Sequence, residues 1–244
     1  NTVYLLRVRT RSRAGAEGAL VVSASTRTPA AVPASAASTF SLVEAGSMTL
    51  TWASGGNPPG TEFLAAVSTS IDFTTSLNTG WVAAVSSAVF GLTPNTSYYA
   101  GVVARDAGGT NTREVFLGST VTAAAGPESP SFPTVVTTGL SVEWSTAGNP
   151  SGTLYEAQLA AASSFSPLSA STVTTSTGTS FTGLLSASTF YFRVRAFNRL
   201  ATPTGFSPTT AAVTGADFTP PAAAGGLALH ASETPGVLLA AWTS

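Results

Sequence analysis

The chain has 244 residues, of which 43% are hydrophobic and only 9% charged, and its formal net charge is −1. Average globular chains carry about 25% charged residues, and a surface that binds nucleic acid needs a basic stripe, so the composition argues against nucleic acid as a partner. All ten positive charges are arginines and there is no cysteine, which excludes lysine-based covalent chemistry, disulfide bonds and thiolate metal sites. No run of 18 or more apolar residues occurs, so the sequence predicts no membrane span.

The first predicted strand lies at the N-terminus, where apolar and charged residues alternate. Tyr4, Leu6 and Val8 alternate with Arg7 and Arg9. A period of two with one apolar face is typical of a half-buried antiparallel strand. The same alternation returns along the chain, and no stripe with a period of 3.6 residues persists, so the sequence predicts an all-β protein.

Tryptophan marks an internal repeat. Trp52 and Trp144 are 92 residues apart, and the same short sequence motif follows each of them. Residues 56–61 read Gly-Asn-Pro-Pro-Gly-Thr and residues 148–153 read Gly-Asn-Pro-Ser-Gly-Thr. A third tryptophan, Trp242, lies 98 residues beyond the second. Self-similarity at a fixed period indicates tandem structural units.

A second anchor repeats with the same period. Residues 91–98 align without gaps with residues 183–190, and the first four residues of the chain match the end of the former segment. In both complete segments the second position is leucine, and in all three the last position is an aromatic residue. These residues are Leu92, Leu184, Tyr98, Phe190 and Tyr4.

The period of about 92 residues, the early strand that ends in tryptophan and the late Gly-Leu-x-Pro-Asn-Thr-x-Tyr segment together resemble the fibronectin type III family. The resemblance implies tandem immunoglobulin-like β-sandwiches with the tryptophan of strand B in the core. It also implies that the late tyrosine is buried at the corner before strand F, with its hydroxyl bonded to the backbone. At Phe190 the hydroxyl is absent, and we expect that corner to lose about 1 kcal/mol. The structural core that the resemblance implies comprises Trp52, Trp144, Trp242, Leu92, Leu184, Tyr4, Tyr98 and Phe190.

Four repeats are predicted from these anchors, two complete and two partial. Repeat 1 covers residues 1–29 and supplies strands F and G. Repeats 2 and 3 are complete and cover residues 31–125 and 127–215. Repeat 4 covers residues 219–244 and supplies strands A and B. The linkers are short and contain proline, which predicts semi-rigid, end-to-end stacking of the repeats.

The search for reactive groups yields no site. His230 is the only histidine, so neither a catalytic triad nor a histidine metal cluster is available. Glu143 and Glu156 lie on predicted neighbouring strands and could approach each other, but the alternation turns both side chains outward, where a paired acid and base has no cleft. The sequence therefore predicts no enzymatic activity, no metal site and no cofactor.

Several outward-facing side chains are candidates for contacts. Trp81 has no counterpart in repeat 3 and is interpreted either as a partly buried residue or as a contact with a glycan or another subunit. The pairs Arg7/Arg9 and Arg193/Arg195 lie on the outward face of strand F. They form either a solvated face that discourages sheet pairing or a contact with an anionic glycan or a neighbouring subunit.

A glycosylation sequon begins at Asn95 and reads Asn-Thr-Ser. It lies on a turn that we expect to be exposed, so Asn95 is a candidate for glycan attachment. Three-residue matches of this kind are also frequent by chance.

Tandem repeats, stiff linkers and the lack of reactive groups favour a structural role as an extracellular or cell-surface filament, stalk or adhesin shaft. The lysine-free composition, rich in alanine and threonine, suggests a bacterial surface protein. Two alternatives stay open: a carbohydrate- or protein-binding accessory region of a larger secreted enzyme, and a ligand-binding receptor ectodomain.

The partial repeats are expected to leave apolar faces uncovered. Tyr4, Leu6 and Val8 have no second sheet to cover them in residues 1–29, and an isolated hairpin is marginally stable at best. We expect either that the polypeptide continues beyond both ends as a longer array, or that half-repeats of neighbouring subunits pair by strand donation. Continuation is favoured, because a sandwich made from the two halves would lack strands C to E. Both alternatives predict a head-to-tail assembly.

Overall fold

The computed structural model describes residues 1–217, 225–231 and 238–243, and for the two C-terminal segments it defines the backbone alone. Every regular element in these residues is a β-strand, and all pairings between strands are antiparallel. No helix long and apolar enough to cross a membrane is present in this part of the chain. The prediction of an all-β protein is confirmed.

Repeat 1 forms a two-stranded sheet of β1 (Val3–Val8) and β2 (Val21–Arg27), with a bulge between Leu6 and Arg7. The structure differs here from the predicted core, because Tyr4 is 57% exposed. The two strands form a sheet of their own within the described residues. Without a second packed sheet, even a correctly patterned strand leaves its apolar face in water.

Repeat 2 contains seven strands in two sheets. One sheet has the order β3-β4-β7 and the other the order β6-β5-β8-β9. The strands are β3 (Ala34–Ser41), β4 (Ser47–Ala53), β5 (Glu62–Ser68), β6 (Leu77–Asn78), β7 (Ser86–Phe90), β8 (Ser97–Arg105) and β9 (Val115–Val121).

Repeat 3 has the same topology. Its sheets have the orders β10-β11-β14 and β13-β12-β15-β16. The strands are β10 (Glu128–Val136), β11 (Gly139–Ser145), β12 (Leu154–Ala160), β13 (Ala170–Thr174), β14 (Gly178–Thr182), β15 (Thr189–Phe197) and β16 (Thr210–Val213).

Repeat 4 is described as an antiparallel pair, β17 (Gly225–Ala231) and β18 (Leu238–Thr243). The backbones of His230 and Trp242 lie in these strands, but their side chains lie outside the described residues. The predicted proline linker at 218–221 lies outside them as well.

The core of repeat 2 lies between its two sheets. Met48, Leu50 and Trp52 alternate on the inward face of β4, and each is at most 1% exposed. Trp52 packs against Phe63 of the opposite sheet, with ring centroids 6.0 Å apart. Leu92 and Tyr98 are also buried in this core. Full burial of a large apolar side chain contributes about 1.5–3 kcal/mol, so this inward row stabilises the sandwich substantially.

The core of repeat 3 is more aromatic. Trp144 is 5% exposed and lies between Tyr155 and Phe192, with ring centroids at 5.8 Å and 6.0 Å. Phe190 is buried, and Leu184 is half-buried against the same cluster. Since β11 and β12 belong to different sheets, the Trp144–Tyr155 contact joins the two layers.

Candidate functional site

An asparagine holds the segment that enters each complete repeat. Asn57 accepts a hydrogen bond at Oδ1 from the backbone N–H of Ala31 at 2.8 Å and donates from Nδ2 to the carbonyl of Ala31 at 2.7 Å. Asn149 makes the same pair of bonds with Ala125, at 2.9 Å and 2.7 Å. Because one amide satisfies both backbone groups of one residue, the incoming chain is held in place beside the loop that follows β4 or β11.

A second contact crosses from repeat 2 to repeat 3. Asn95, in the turn between β7 and β8, donates from Nδ2 to Oγ1 of Thr153 at 2.9 Å. Its Oδ1 accepts a hydrogen bond from the backbone N–H of Arg199 at 2.7 Å. Thr153 immediately precedes β12, and Arg199 lies shortly after β15. One side chain therefore joins repeat 2 to two separate loops of repeat 3.

The same contact joins repeat 1 to repeat 2. Asn1 donates from Nδ2 to Oγ1 of Thr61 at 3.2 Å, and its Oδ1 accepts from the backbone N–H of Ala107, also at 3.2 Å. Thr61 and Thr153 are the last residues of the two matching Gly-Asn-Pro-x-Gly-Thr segments. The joint is therefore periodic, like the sequence.

The threonine hydroxyl is oriented for this role. Oγ1 of Thr61 donates to the carbonyl of Pro58 at 2.8 Å, and Oγ1 of Thr153 donates to the carbonyl of Pro150 at 2.7 Å. A hydroxyl has one proton, so each oxygen can act only as an acceptor toward the asparagine of the preceding repeat. Both threonines are 2% exposed, which shields these bonds from water.

The expectation of an exposed turn at Asn95 is wrong. Asn95 is only 3% exposed, and both polar atoms of its amide are bonded to repeat 3. A glycan on Nδ2 would occupy the space of Thr153 and displace the repeat-to-repeat contact. The repeated Gly-Asn-Pro-x-Gly-Thr motif was the sequence signal for this joint. The motif does not identify Asn95 as the partner of Thr153, because the two residues are far apart in the sequence.

The arginines of β15 are packed against aromatic rings. The guanidinium of Arg193 lies 4.0 Å from the ring centroid of Phe165 and 4.0 Å from that of Phe206. Its Nε donates to Oε1 of Gln158 at 2.9 Å. Arg193 is half-buried, so part of its charged group is enclosed within repeat 3. Its two sequence interpretations, a solvated face or a contact with a partner, stay predictions.

Arg195 continues the same arrangement. It forms an ion pair with Glu156 at 2.6 Å and lies 4.6 Å from the ring of Phe206. A cation over an aromatic face contributes about 0.5–2 kcal/mol, depending on its desolvation. We call the cluster of Arg193, Arg195, Phe165 and Phe206 the arginine ladder. It stabilises the outer face of the β13-β12-β15-β16 sheet.

The N-terminal arginines are in a different setting. Arg9 forms an ion pair with Glu17, and Arg7 and Arg9 are both exposed. Exposure is compatible with both interpretations of Arg7 and Arg9, a solvated face and a contact with a partner, so both stay predictions.

Trp81 is half-buried, and one face of its ring is covered by Arg105, whose guanidinium lies 4.2 Å from the ring centroid. Arg105 also forms an ion pair with Glu62 at 2.6 Å. The structure therefore places Trp81 in a charged cluster with one covered face, which reduces the ring area available for stacking on a sugar.

The two glutamates considered as an acid–base pair belong to different sheets. Glu143 lies on β11 and Glu156 on β12, and Glu156 is committed to Arg195 and Gln158. The prediction that their strands are neighbours is wrong, because the chain passes from one sheet to the other between β11 and β12. Among residues 1–217 no group of three His, Asp or Glu side chains is suited to hold a metal.

An open cleft of about 400 Å³ lies where repeats 2 and 3 meet, lined by residues that include Glu44, Asn198 and Phe206. Glu44 is its only ionisable side chain.

No protein-family model and no curated protein matches the sequence. Among solved structures, a two-domain fibronectin type III segment of chicken tenascin aligns over 75% of this chain and 99% of its own length, with 13% identity and a TM-score of 0.51. A fibronectin type III domain of human fibronectin type III domain containing protein 3 covers 39% of the chain and 89% of its own length, with 23% identity and a TM-score of 0.34. The three-domain segment FN1–FN3 of chicken CNTN1 covers 86% of the chain and 77% of its own length, with 17% identity and a TM-score of 0.33. The tenascin alignment shows the fold of the two complete repeats, which is that of tandem fibronectin type III domains.

Proposed function

We propose that this chain is a structural spacer, a segment of the shaft or stalk of an extracellular filament or adhesin on a bacterial cell surface. It has no enzymatic activity of its own in this proposal, and such segments join head to tail. The observation that carries the proposal is the repeated joint. Each complete repeat is held at its entry by Asn57 or Asn149 and at its border with the preceding repeat by Asn1 or Asn95. Two fixed points at each border favour a stiff, extended stack.

The surface chemistry supports a structural role. The guanidinium groups of the arginine ladder are bonded within their own repeat, Arg193 to Gln158 and Arg195 to Glu156. The charged fraction of 9% is below the range that keeps an isolated small domain well hydrated. A filament with lateral contacts hides part of such a surface. The alternative of a sugar-binding accessory region is less favoured, because Arg105 covers one face of Trp81.

Small-angle X-ray scattering of the 244-residue chain tests the proposal. A compact globule of this length has a radius of gyration of about 18 Å, whereas an end-to-end stack gives a clearly larger value and the distance distribution of a rod. The shape should persist from low to high salt, because neutral hydrogen bonds form the joints. A compact particle would contradict the shaft proposal. Labelling of intact source cells with an antibody against repeat 3 tests the surface location, and labelling only after cell lysis would contradict it.

A further inference from the structure

We propose that two short motifs are the two halves of a directional joint that fixes the relative orientation of neighbouring repeats. The donor turn comprises residues 94–96 and presents Asn95. The receiver loop comprises residues 148–153 of the next repeat and ends on Thr153. The interaction surface is therefore the end of a repeat that carries a donor turn. It binds the next repeat along the chain, which carries a receiver loop. The role of the joint in stiffening a shaft rests on the proposed function. The geometry of the joint does not depend on that function.

The donor turn is held rigid by its own repeat. Asn95 has a φ of 47°, in the left-handed region that asparagine tolerates better than most residues. Its backbone N–H donates to the carbonyl of Ala123 at 3.0 Å. The fully buried Thr122 donates from Oγ1 to the carbonyl of Thr93 at 2.8 Å and accepts from the N–H of Thr96 at 3.0 Å. The amide of Asn95 is therefore aimed at repeat 3 by a scaffold that does not depend on repeat 3.

The receiver loop is equally prepared. Asn149 is 6% exposed and donates to the carbonyls of Ala125 and Thr146 at 2.7 Å and 2.8 Å. Thr153 directs its single proton to Pro150, so its oxygen faces the donor as an acceptor. Because the donor amide carries protons on one atom and lone pairs on the other, the two bonds to Thr153 and Arg199 form together in only one orientation of the amide.

Repeat 3 keeps the scaffold of the donor turn but lacks the donor. Thr214 takes the place of Thr122, since it donates to the carbonyl of Leu185 at 2.6 Å and accepts from the N–H of Ser188 at 3.0 Å. Ala187 occupies the position of Asn95, with a φ of 48°. The methyl group of Ala187 can form neither hydrogen bond. The border of repeat 3 that bears this turn therefore cannot make the joint that repeats 1 and 2 make.

The experiment measures the distance between repeats 2 and 3 in the full chain. The sequence has no cysteine, so Ser41→Cys and Thr175→Cys, both at exposed positions, place one spin label in each repeat. Double electron–electron resonance then gives the distribution of distances. We expect a single narrow distribution in the parent chain and a distribution at least twice as wide in Asn95→Gly. Glycine accepts the left-handed turn, so this variant removes the side-chain bonds without strain.

Matched variants separate the joint from folding. Ala187→Gly makes the corresponding change in repeat 3, where no joint bond is lost, and should leave the distribution unchanged. Thr153→Val removes the acceptor and should broaden the distribution, whereas Thr153→Ser keeps the hydroxyl and should restore it. If Asn95→Gly were to unfold repeat 2, the valine and serine variants would still decide the question.

An unchanged distribution in both Asn95→Gly and Thr153→Val would overturn the joint. The outcome is distinct from failure of the shaft proposal. Scattering from an elongated particle together with unchanged distributions would reject the joint and leave the shaft standing. A compact particle whose distribution broadens in Asn95→Gly would reject the shaft and leave the joint standing.

Discussion

The phenolic oxygen of Tyr98 accepts a hydrogen bond from the backbone N–H of Thr93 at 2.9 Å. The ring is only 5% exposed, so the bond fastens the turn before β8 to the core of repeat 2. In repeat 3 the equivalent ring is Phe190, which is 4% exposed and has no hydroxyl. Repeats 2 and 3 share one topology, but only repeat 2 has this hydrogen bond between the tyrosine and the turn.

Tyr98→Phe should lower the free energy of unfolding of repeat 2 by about 1 kcal/mol, because it removes the tether and leaves the N–H of Thr93 without its partner. Urea denaturation of the full chain, monitored by hydrogen exchange of the β4 amides, measures the loss in free energy of unfolding. The control is Tyr99→Phe on the half-buried neighbour, which should stay within about 0.5 kcal/mol. Equal stability of Tyr98→Phe and the parent chain would show that the bond contributes nothing.

The sandwiches were predictable because local alternation carries the necessary information. Met48, Leu50 and Trp52 point inward on β4, and their spacing alone identifies a buried strand face. The 92-residue period then locates the second copy. Tyr4 shows the limit of this reasoning, since a correct pattern becomes a core only where a second sheet packs against it.

The joint and the arginine ladder were not predictable for a different reason. Asn95 and Thr153 are 58 residues apart and lie in different repeats, so no local period connects them. Phe206 lies in the loop after β15, and the direction of a loop side chain is not set by a period of two. The outward position of Arg193 was evident, but the ring that covers it was not.

Tyr155→Phe should be tolerated at neutral pH, unlike Tyr98→Phe. Tyr155 is 2% exposed, and its hydroxyl has no hydrogen-bond partner within the described residues. Removing an unpaired buried hydroxyl leaves no partner unsatisfied, so the expected change is within about 0.5 kcal/mol. Urea denaturation at pH 7 compares the two variants directly. A loss as large as that of Tyr98→Phe would reveal a partner for this hydroxyl.

Alkaline pH should destabilise repeat 3 through Tyr155. Burial raises the pKa of Tyr155, and the side chain of Asn149 lowers it to a smaller extent. A raised pKa in the fold means that stability is fully present below the ordinary value of about 10. It is lost as pH rises from there through the folded value, because the unfolded chain releases its proton first. Thermal midpoints between pH 8 and 11 should fall for the parent chain and fall less for Tyr155→Phe. If the thermal midpoints of the parent chain and of Tyr155→Phe fell equally with pH, Tyr155 would not be the cause of the alkaline destabilisation.

Trp52→Ala should cost about 3–5 kcal/mol, a typical value for deleting a large buried ring, and Trp144→Ala should cost a similar amount. Trp52→Phe should cost clearly less. The indole N–H groups of both tryptophans are buried without a hydrogen-bond partner among the described residues, so phenylalanine removes an unsatisfied polar group while it keeps much of the contact with Phe63. Thermal denaturation of the full chain distinguishes the variants. A midpoint within one or two degrees of the parent for Trp52→Ala would contradict the core position.

Phe206→Ala should destabilise repeat 3 by about 1–2 kcal/mol, because this ring contacts both Arg193 and Arg195 and each contact contributes about 0.5–1 kcal/mol. The control is Arg9→Ala, which breaks the exposed pair with Glu17 and should change stability by less than about 0.5 kcal/mol. Denaturation in urea at low and high salt measures both variants. A cost for Phe206→Ala no larger than that of the control would mean that the arginine ladder adds no stability.

Ala187→Asn should stabilise repeat 3, whereas Asn95→Ala should destabilise repeat 2. Ala187 and Asn95 hold nearly the same left-handed backbone, with φ of 48° and 47°. A residue with a Cβ loses roughly 1–2 kcal/mol there, and asparagine loses less because its side chain bonds locally. We expect a gain of about 0.5–1 kcal/mol for Ala187→Asn, which corresponds to a rise of about 2–8 °C in the midpoint of a domain of this size. Asn95→Ala should lose at least as much, since it also removes the bonds to Thr153 and Arg199. Differential scanning calorimetry of the full chain follows both transitions.

Ala211→Asn, on an exposed position of β16, is the control and should bring no gain, because its backbone is extended. If Ala187→Asn and Ala211→Asn shifted the midpoint equally, backbone strain at the turn would be the wrong explanation.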